Sequence, residues 1–413
     1  MKLSVIFIVI FSLGNNWGVA QELKEYLQLA GTKNPGLQAK YKKFEAALQA
    51  VLQANTLADP TISFGYFISP VETRVGPQRA KFSLTQMFPW FGTLDAQETV
   101  AATNAQAKYQ AFLESRNQLF YRVATAYYPI VELQQLIKLE TENLQILETY
   151  KAIATSKFEN GAGAMVDVLR VDLMMNDSKT NLKILNEKYQ PLLSNFNALL
   201  NRPTVEKVEV KDAVLFEPIP LNYRKDSLLA NNPILNELEM KIEASEVQEL
   251  VVNRQSFPKI GVGLDYVFVD KRSDMDIVDN GKNVFMPMVS VSIPIFQGKY
   301  KGAIKEEQLL QESYSFQKQD VTNSLLANYD MGTYELAQQQ ELIILYEKQT
   351  SETKQVLDLL FSAYSNTGQE FEEVLRMQQQ LLKYEQMKIT AITKYNTGVA
   401  KIDYLTSKTY QTN

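Results

Sequence analysis

The sequence predicts a mainly α-helical chain carrying four membrane-facing β-strands, and three observations lead there. The chain matches itself at long range, so a unit of roughly two hundred residues occurs twice. In each unit, two short stretches switch to an apolar period of two. Each pair is followed by a helical tract of about sixty residues, far beyond the usual globular helix.

Composition narrows the chemistry first. The 413 residues are 45% hydrophobic with a net charge of −5, the profile of a folded chain without the basic face that nucleic acid requires. Cys and His are both absent. That removes disulfides, thiolate metal sites, a cysteine nucleophile and the commonest general base, and it leaves no cysteine for a bacterial lipid anchor. We expect no enzyme and no cofactor.

The chain opens with Lys2, then "LSVIFIVIFSLG" and "GVA-QE". A charged start, an apolar run too short to span a bilayer and small residues make a secretory signal, residues 1–20, with cleavage expected after Ala20. No later segment approaches the ~20 apolar residues of a membrane helix.

The repeat is read from collinear matches. "KNPGL" (Lys33 to Leu37) pairs with "NNPIL" (Asn231 to Leu235), and "DPTISFGY" with "FPKIGVGL". Pro35 and Pro233, Pro60 and Pro258, and Gly65 and Gly263 all lie 198 positions apart. Further on, Val168-Leu169-Arg170 matches Val374-Leu375-Arg376 at a spacing of 206. The extra residues fit between the two strands of the second copy, where "DKRSDMDIVDNGKNV" replaces the shorter "SPVETRVGPQ". The expected division is a first repeat over 21–200 (hairpin 59–91), a connector over 201–227 and a second repeat over 228–413 (hairpin 257–297).

Each element has its own justification. A helix over about 36–57 places Leu37, Tyr41, Phe44, Leu48 and Leu52 on one face, and Asp59-Pro60 ends it. In "TISFGYFI", Ile62, Phe64, Tyr66 and Ile68 then oppose Thr61, Ser63 and Gly65; in "AKFSLTQMF", Phe82, Leu84 and Phe88 oppose Lys81, Ser83 and Thr85. The second unit repeats this, with Ile260, Val262, Leu264, Tyr266 and Phe268 against Gly261, Gly263 and Asp265, and Val289, Val291 and Ile293 against Ser290 and Ser292. Long helices follow over about 95–157 and 300–362, each about 90 Å at ~1.5 Å per residue. Leu133, Leu136, Glu140, Leu144 and Leu147 step in heptad fashion, and Pro129 should kink its helix or mark a packing irregularity. Return helices are expected over about 166–200 and 371–396. The Pro-rich connector reads as a wrapped segment with a short strand.

Strands with one apolar and one small or polar face suit a wall between lipid and water. Open strand edges are not tolerated in hydrocarbon, and four strands cannot close a barrel. A barrel therefore has to be shared, and three chains would supply twelve strands. In "FPWFG", Phe88, Trp90 and Phe91 would form an aromatic girdle at the membrane edge, or Trp90 would pack a turn.

The signal peptide, the duplicated helix–hairpin–long-helix unit, the two "NP" starts and the "GxxxxxDVLR"-like returns together resemble the TolC family of outer-membrane efflux proteins, over essentially the whole mature chain. The resemblance implies a homotrimer: a twelve-stranded β-barrel in the outer membrane, continued by a twelve-helix α-barrel of coiled coils across the periplasm. It implies docking on a periplasmic adaptor (membrane fusion) protein and on an inner-membrane pump of the RND or ABC type. "QMFPWFG" is similar to the "FPWPGKL"-type stretch of metal-efflux members related to CusC and CzcC, with Phe91 where those have proline.

The resemblance also gives the repeated turns a place, at the periplasmic tip. Asn160, Gly161 and Gly163 in one copy and Asn366, Thr367 and Gly368 in the other would form adaptor-docking turns. A phosphate cradle fits "GAGA" poorly, since no strand precedes it and no Lys-Ser/Thr follows. The tip would carry the gate: Asp167, Arg170 and Asp172 from the first copy, and Glu370, Glu372, Glu373 and Arg376 from the second. Threefold repetition turns carboxylates into rings that favour cations, whereas a plain solvated helix start also favours acidic residues. Glu373 matches the first gating carboxylate of the family's "VDVLDA"; Arg376 stands at the second, where it would bridge to a neighbouring helix. The expected function is a passive exit duct for metal ions or drugs. The alternatives are a type I protein-secretion duct and a pore-less periplasmic coiled-coil scaffold or adhesin.

Overall fold

The computed structural model describes residues 18–208, 210, 216–220, 222–367 and 371–408. Residues 1–17 of the expected signal peptide lie outside this set, and Gly18–Ala20 open the first helix. The elements run α1 (Gly18–Lys33), α2 (Pro35–Ala54), β1 (Thr61–Val71), β2 (Gln78–Phe88), α3 (Thr93–Glu159) and α4 (Met165–Leu200). After the connector come α5 (Ser227–Ala230), α6 (Pro233–Gln255), β3 (Lys259–Val269), β4 (Val284–Ser292), α7 (Gly298–Thr367) and α8 (Phe371–Leu405). They form two compact units, one of Met1–Gln38, Ser115–Asn232 and Leu325–Asn413, the other of Ala39–Glu114 and Pro233–Ser324.

The "NP" motifs explain how helices start. Asn34 caps α2, its Oδ1 accepting from Leu37 N at 3.0 Å, and Pro35 occupies the first helical position, where its missing N–H is no loss. The same side chain donates to Leu199 O at 2.9 Å, closing the last turn of α4. In the second copy, Pro233 opens α6 and Asn232 Nδ2 donates to Leu405 O at 3.4 Å, in the last turn of α8.

In the first unit, the segment around Pro129 is packed rather than broken. Tyr127, Ile130 and Val131 are fully buried and α3 continues through the proline; α4 likewise continues through Pro191. The heptad positions Leu133, Glu140 and Leu147 are each 1% exposed, so a glutamate does occupy the core seam. Its neighbours make a polar ladder between α3 and α8. Thr390 donates to Glu132 at 2.7 Å, Gln386 to Glu140 at 3.2 Å and Gln378 to Asn143 at 3.1 Å.

Two expectations change here. Helix α1 was not foreseen; Leu27 and Ala30 bury, and Tyr26 meets Phe196 edge-on. The described residues of the connector hold turns, and residues 209, 211–215 and 221, part of the run expected to hold a short strand, lie outside the described residues. Side-chain anchors fasten the described part: Tyr395 Oη binds the backbone of Glu217 and Ile219, and Tyr223 Oη donates to Asp403 at 3.0 Å. Finally, α8 runs to Leu405 rather than 396: it continues through Gly398, where a Cβ would lie 2.8 Å from Leu336 Cδ2, and ends at the Ser407 turn, whose φ is 51°.

In the second unit the four strands form one antiparallel sheet in the order β1-β2-β3-β4. The central β2–β3 pairing joins strands from the two sequence repeats, and β1 and β4 are the sheet's two edges.

Candidate channel gate and membrane wall

The described residues expected to form a gate gather in the helical unit. The ends of α3 and α7 and the starts of α4 and α8 share an apolar cluster that includes Leu147, Tyr150, Val171, Tyr364, Phe371 and Val374. Burying each such side chain contributes about 1.5–3 kcal/mol. Tyr364 stacks on Phe371 at 4.5 Å between centroids, and Tyr150 meets the same Phe371 edge-on. Burial raises both phenols above their ordinary range. Tyr150 reaches about 12, with the charge of Asp358 adding, and Tyr364 shifts the same way, helped by Asp167. The Tyr364 hydroxyl is buried without a hydrogen-bond partner among the described residues.

Charged contacts then link the two hairpins. Lys157 Nζ donates to Tyr364 O at 2.7 Å and lies 4.2 Å from the centre of that ring. Arg170 bridges from α4 to Glu372 on α8 at 2.9 Å and approaches Asp167 on its own helix at 3.8 Å. Asp172 is held by Lys151 of α3 at 2.6 Å. Arg376 pairs with Glu373 on its own helix. Within the chain, the bridge expected of Arg376 is thus made by its counterpart Arg170. Sequence reasoning missed Lys151 and Lys157 because helical spacing alone does not show which hairpin they face.

The first tip turn has the expected form. Helix α3 ends at Glu159, Gly161 takes φ 72°, and Ala162 N donates to Lys157 O at 2.8 Å. Asn160 and Gly161 are exposed, and Gly163 lies so close to Lys157 that a Cβ there would sit 3.0 Å from the lysine Cβ. Beside this turn, Val166, Leu169 and Leu173 form an exposed apolar stripe on α4. The second turn differs from expectation: Tyr364 to Thr367 remain in α7, since no helix breaker precedes Gly368 and Tyr364 is fixed in the cluster. Gly368 and Glu370 lie outside the described residues, as do the side chains of Asn366 and Thr367.

The strand unit carries the second site. Phe64, Phe82, Tyr266 and Phe285 stand opposite one another across all four strands, and each is 38% or more exposed. Ile62, Ile68, Val262 and Val289 extend this exposed apolar face. The other face is mostly small or polar, carrying Ser63, Ser83, Thr85, Gly263 and Ser290, with Met87, Val267, Met286 and Met288 among them. Below it, Trp90 stacks on Phe257 at 5.1 Å, so its indole is a packed one, while Phe88 is 38% and Phe91 78% exposed. Arg254 donates to Gly92 O, fixing the turn into α3, where Gly92 has φ 72°. An edge that sequence reasoning missed is Ile295-Phe296, exposed at 72% and 78%. Its signal was present: Pro294 and Gly298 frame it as Pro89 and Gly92 frame Trp90-Phe91.

At the strand ends, the two loops are tied together. Arg79 pairs with Asp270 at 2.6 Å, Asp270 N donates to Pro77 O, and Gly281 N donates to Val75 O at 2.7 Å. Gly76, at φ 130°, is required here, because a Cβ would lie 1.8 Å from Asp270 O.

Residues 26–201 match a family model described as outer membrane efflux protein. Comparison of the sequence with curated proteins finds no match. Among solved structures, the chain is similar to the outer membrane protein VceC from Vibrio cholerae, with a TM-score of 0.75, 15% identity and coverage of 94% of this chain and 96% of that one. The CusC structure gives 0.72 at 16% identity over 96% and 95%. The CmeC outer membrane channel of Campylobacter jejuni gives 0.73 at 13% identity over 98% and 90%. At such identities the likeness is one of fold, and CusC stands no nearer than the others.

Proposed function

We propose that the chain is a TolC-like outer membrane efflux protein and that it acts as the passive exit duct of an efflux assembly, three copies forming one channel. The observation that carries this reading is the four-stranded sheet, apolar and exposed on one face, mostly small or polar on the other, with β1 and β4 as edges. One chain cannot close such a sheet, and lipid does not tolerate its edges. Pairing β1 of one copy with β4 of the next removes every edge.

In this reading the apolar face meets the outer membrane, with Phe88, Phe91, Ile295 and Phe296 at its rim. The helical tip is the gate. Its stripe of Val166, Leu169 and Leu173 and the Asn160–Gly163 turn suit a periplasmic adaptor protein, and an inner-membrane pump supplies the energy. The duct performs no catalysis. The solutes are small, metal ions or drugs, and the "FPWFG" stretch is the sole pointer towards metals.

The test is extraction of the outer membrane with detergent, purification and ion conductance in planar bilayers. A membrane-extracted, conducting oligomer is expected. A water-soluble, non-conducting protein would overturn the duct and favour the coiled-coil scaffold.

A further inference from the structure

Within the four strands, the charged residues are Arg79, Lys81, Lys259 and Asp265. Arg79 sits at the loop end with Asp270, and Lys259 opens β3 at the opposite end. The two in the middle are paired. Asp265 side chain is 0% exposed and forms an ion pair with Lys81, which stays 36% exposed. In register, Asp265 lies opposite Ser83 and Met286, and Lys81 opposite Val267, so the pair runs diagonally between β2 and β3 on the small, polar face. Gly65 stands opposite Lys81 on β1, with nothing within 4 Å of where a Cβ would sit, which leaves the lysine free to lean towards the acid.

A carboxylate withdrawn from water persists only when it is paired. The pairing also has an electrical consequence. We propose that Lys81 is a selectivity-setting residue of the channel: it neutralises the one fixed carboxylate that each copy places in the middle of the barrel wall. This inference rests on reading the polar face as the lining of a shared bore. Three copies then carry three Lys81–Asp265 pairs, whose charges cancel. Without the lysine, three carboxylates would form a ring that favours cations; without the acid, three ammonium groups would favour anions.

The experiment measures reversal potentials of the purified full-length oligomer in planar bilayers under a KCl gradient. Lys81→Met should raise the cation-to-anion permeability ratio about threefold or more, the effect of one unscreened charge at the width of a bore. Asp265→Asn should move the ratio the opposite way, Lys81→Arg should keep the parental ratio, and the double variant should return close to it. Unchanged ratios in both single variants, or shifts of the same sign, would overturn the assignment. Asp265→Asn carries the test alone if Lys81→Met does not assemble. A parent that conducts nothing refutes the duct itself, whereas a conducting parent with indifferent variants refutes only the role of Lys81.

Discussion

Asn34 does two jobs, starting α2 and closing the last turn of α4, while Asn232 closes the last turn of α8. Replacing Asn34 by Ala should cost about 1–2 kcal/mol, read as a lower thermal midpoint in detergent. Asn34→Asp, which keeps the cap and loses the donated bond to Leu199, should fall between. At the tip, Tyr364→Phe removes a buried hydroxyl that has no partner among the described residues and should leave the gate unchanged, whereas Tyr364→Ala should cost about 3–5 kcal/mol and raise basal conductance. The pH response follows from the same rings. Both tip phenols are held above their unfolded values, so the stability they contribute is fully present below about pH 10. It is lost as pH rises through the folded values, about 12 for Tyr150. Basal conductance should therefore rise on alkaline titration above pH 10, with no such step at neutral pH. Arg170→Ala should open the gate more than Arg376→Ala, because of these two arginines it is Arg170 that crosses between hairpins while Arg376 pairs on its own helix. The pair is half exposed, worth about 0–1 kcal/mol, so the change should be a modest rise in open probability in single-channel records.

Between α3 and α8 the polar ladder is the element that decides register. Gln378 and Asn143 are both buried, at 3% and 5% exposure, and bond to each other. Gln378→Leu should cost about 1–3 kcal/mol by stranding Asn143, and adding Asn143→Leu should restore most of it, checked by thermal midpoints of the single and double variants. Heptad stepping put Glu140 on the core seam, and the structure buries it there. Its partner Gln386 lies 246 positions away, so no local pattern showed how the charge would be satisfied. Strand faces were legible for the opposite reason: alternation is local, and Ile62, Phe64 and Tyr66 fall where a period of two sends them. The second tip turn was misread because "NTG" was matched to "ENG" of the first copy, yet Asn366 and Thr367 still belong to α7. The connector's β-branched run suggested a strand and lies partly outside the described residues; the described part is fastened by Tyr223, Arg224 and Tyr395, partners about 180 positions distant that no local pattern shows. Helix α1 was hidden by its place against the expected signal sequence.

For the whole molecule, assembly is the prediction that matters most. Sizing in detergent should give three copies, and N-terminal sequencing of the exported chain should start at Gln21. A monomer of full conductance would contradict the shared barrel. Neither compact unit belongs to one half of the gene: each is stitched from both, so severing the chain near residue 215 would leave two fragments that can fold only together. The stitching also sets an order of completion. The strand unit has all of its residues by Ser324, while the helical unit waits for Leu325 onward. In the proposed duct, a chain threaded into the periplasm from its N-terminus would therefore finish its lipid-facing part first, while its closing helix is still crossing the inner membrane.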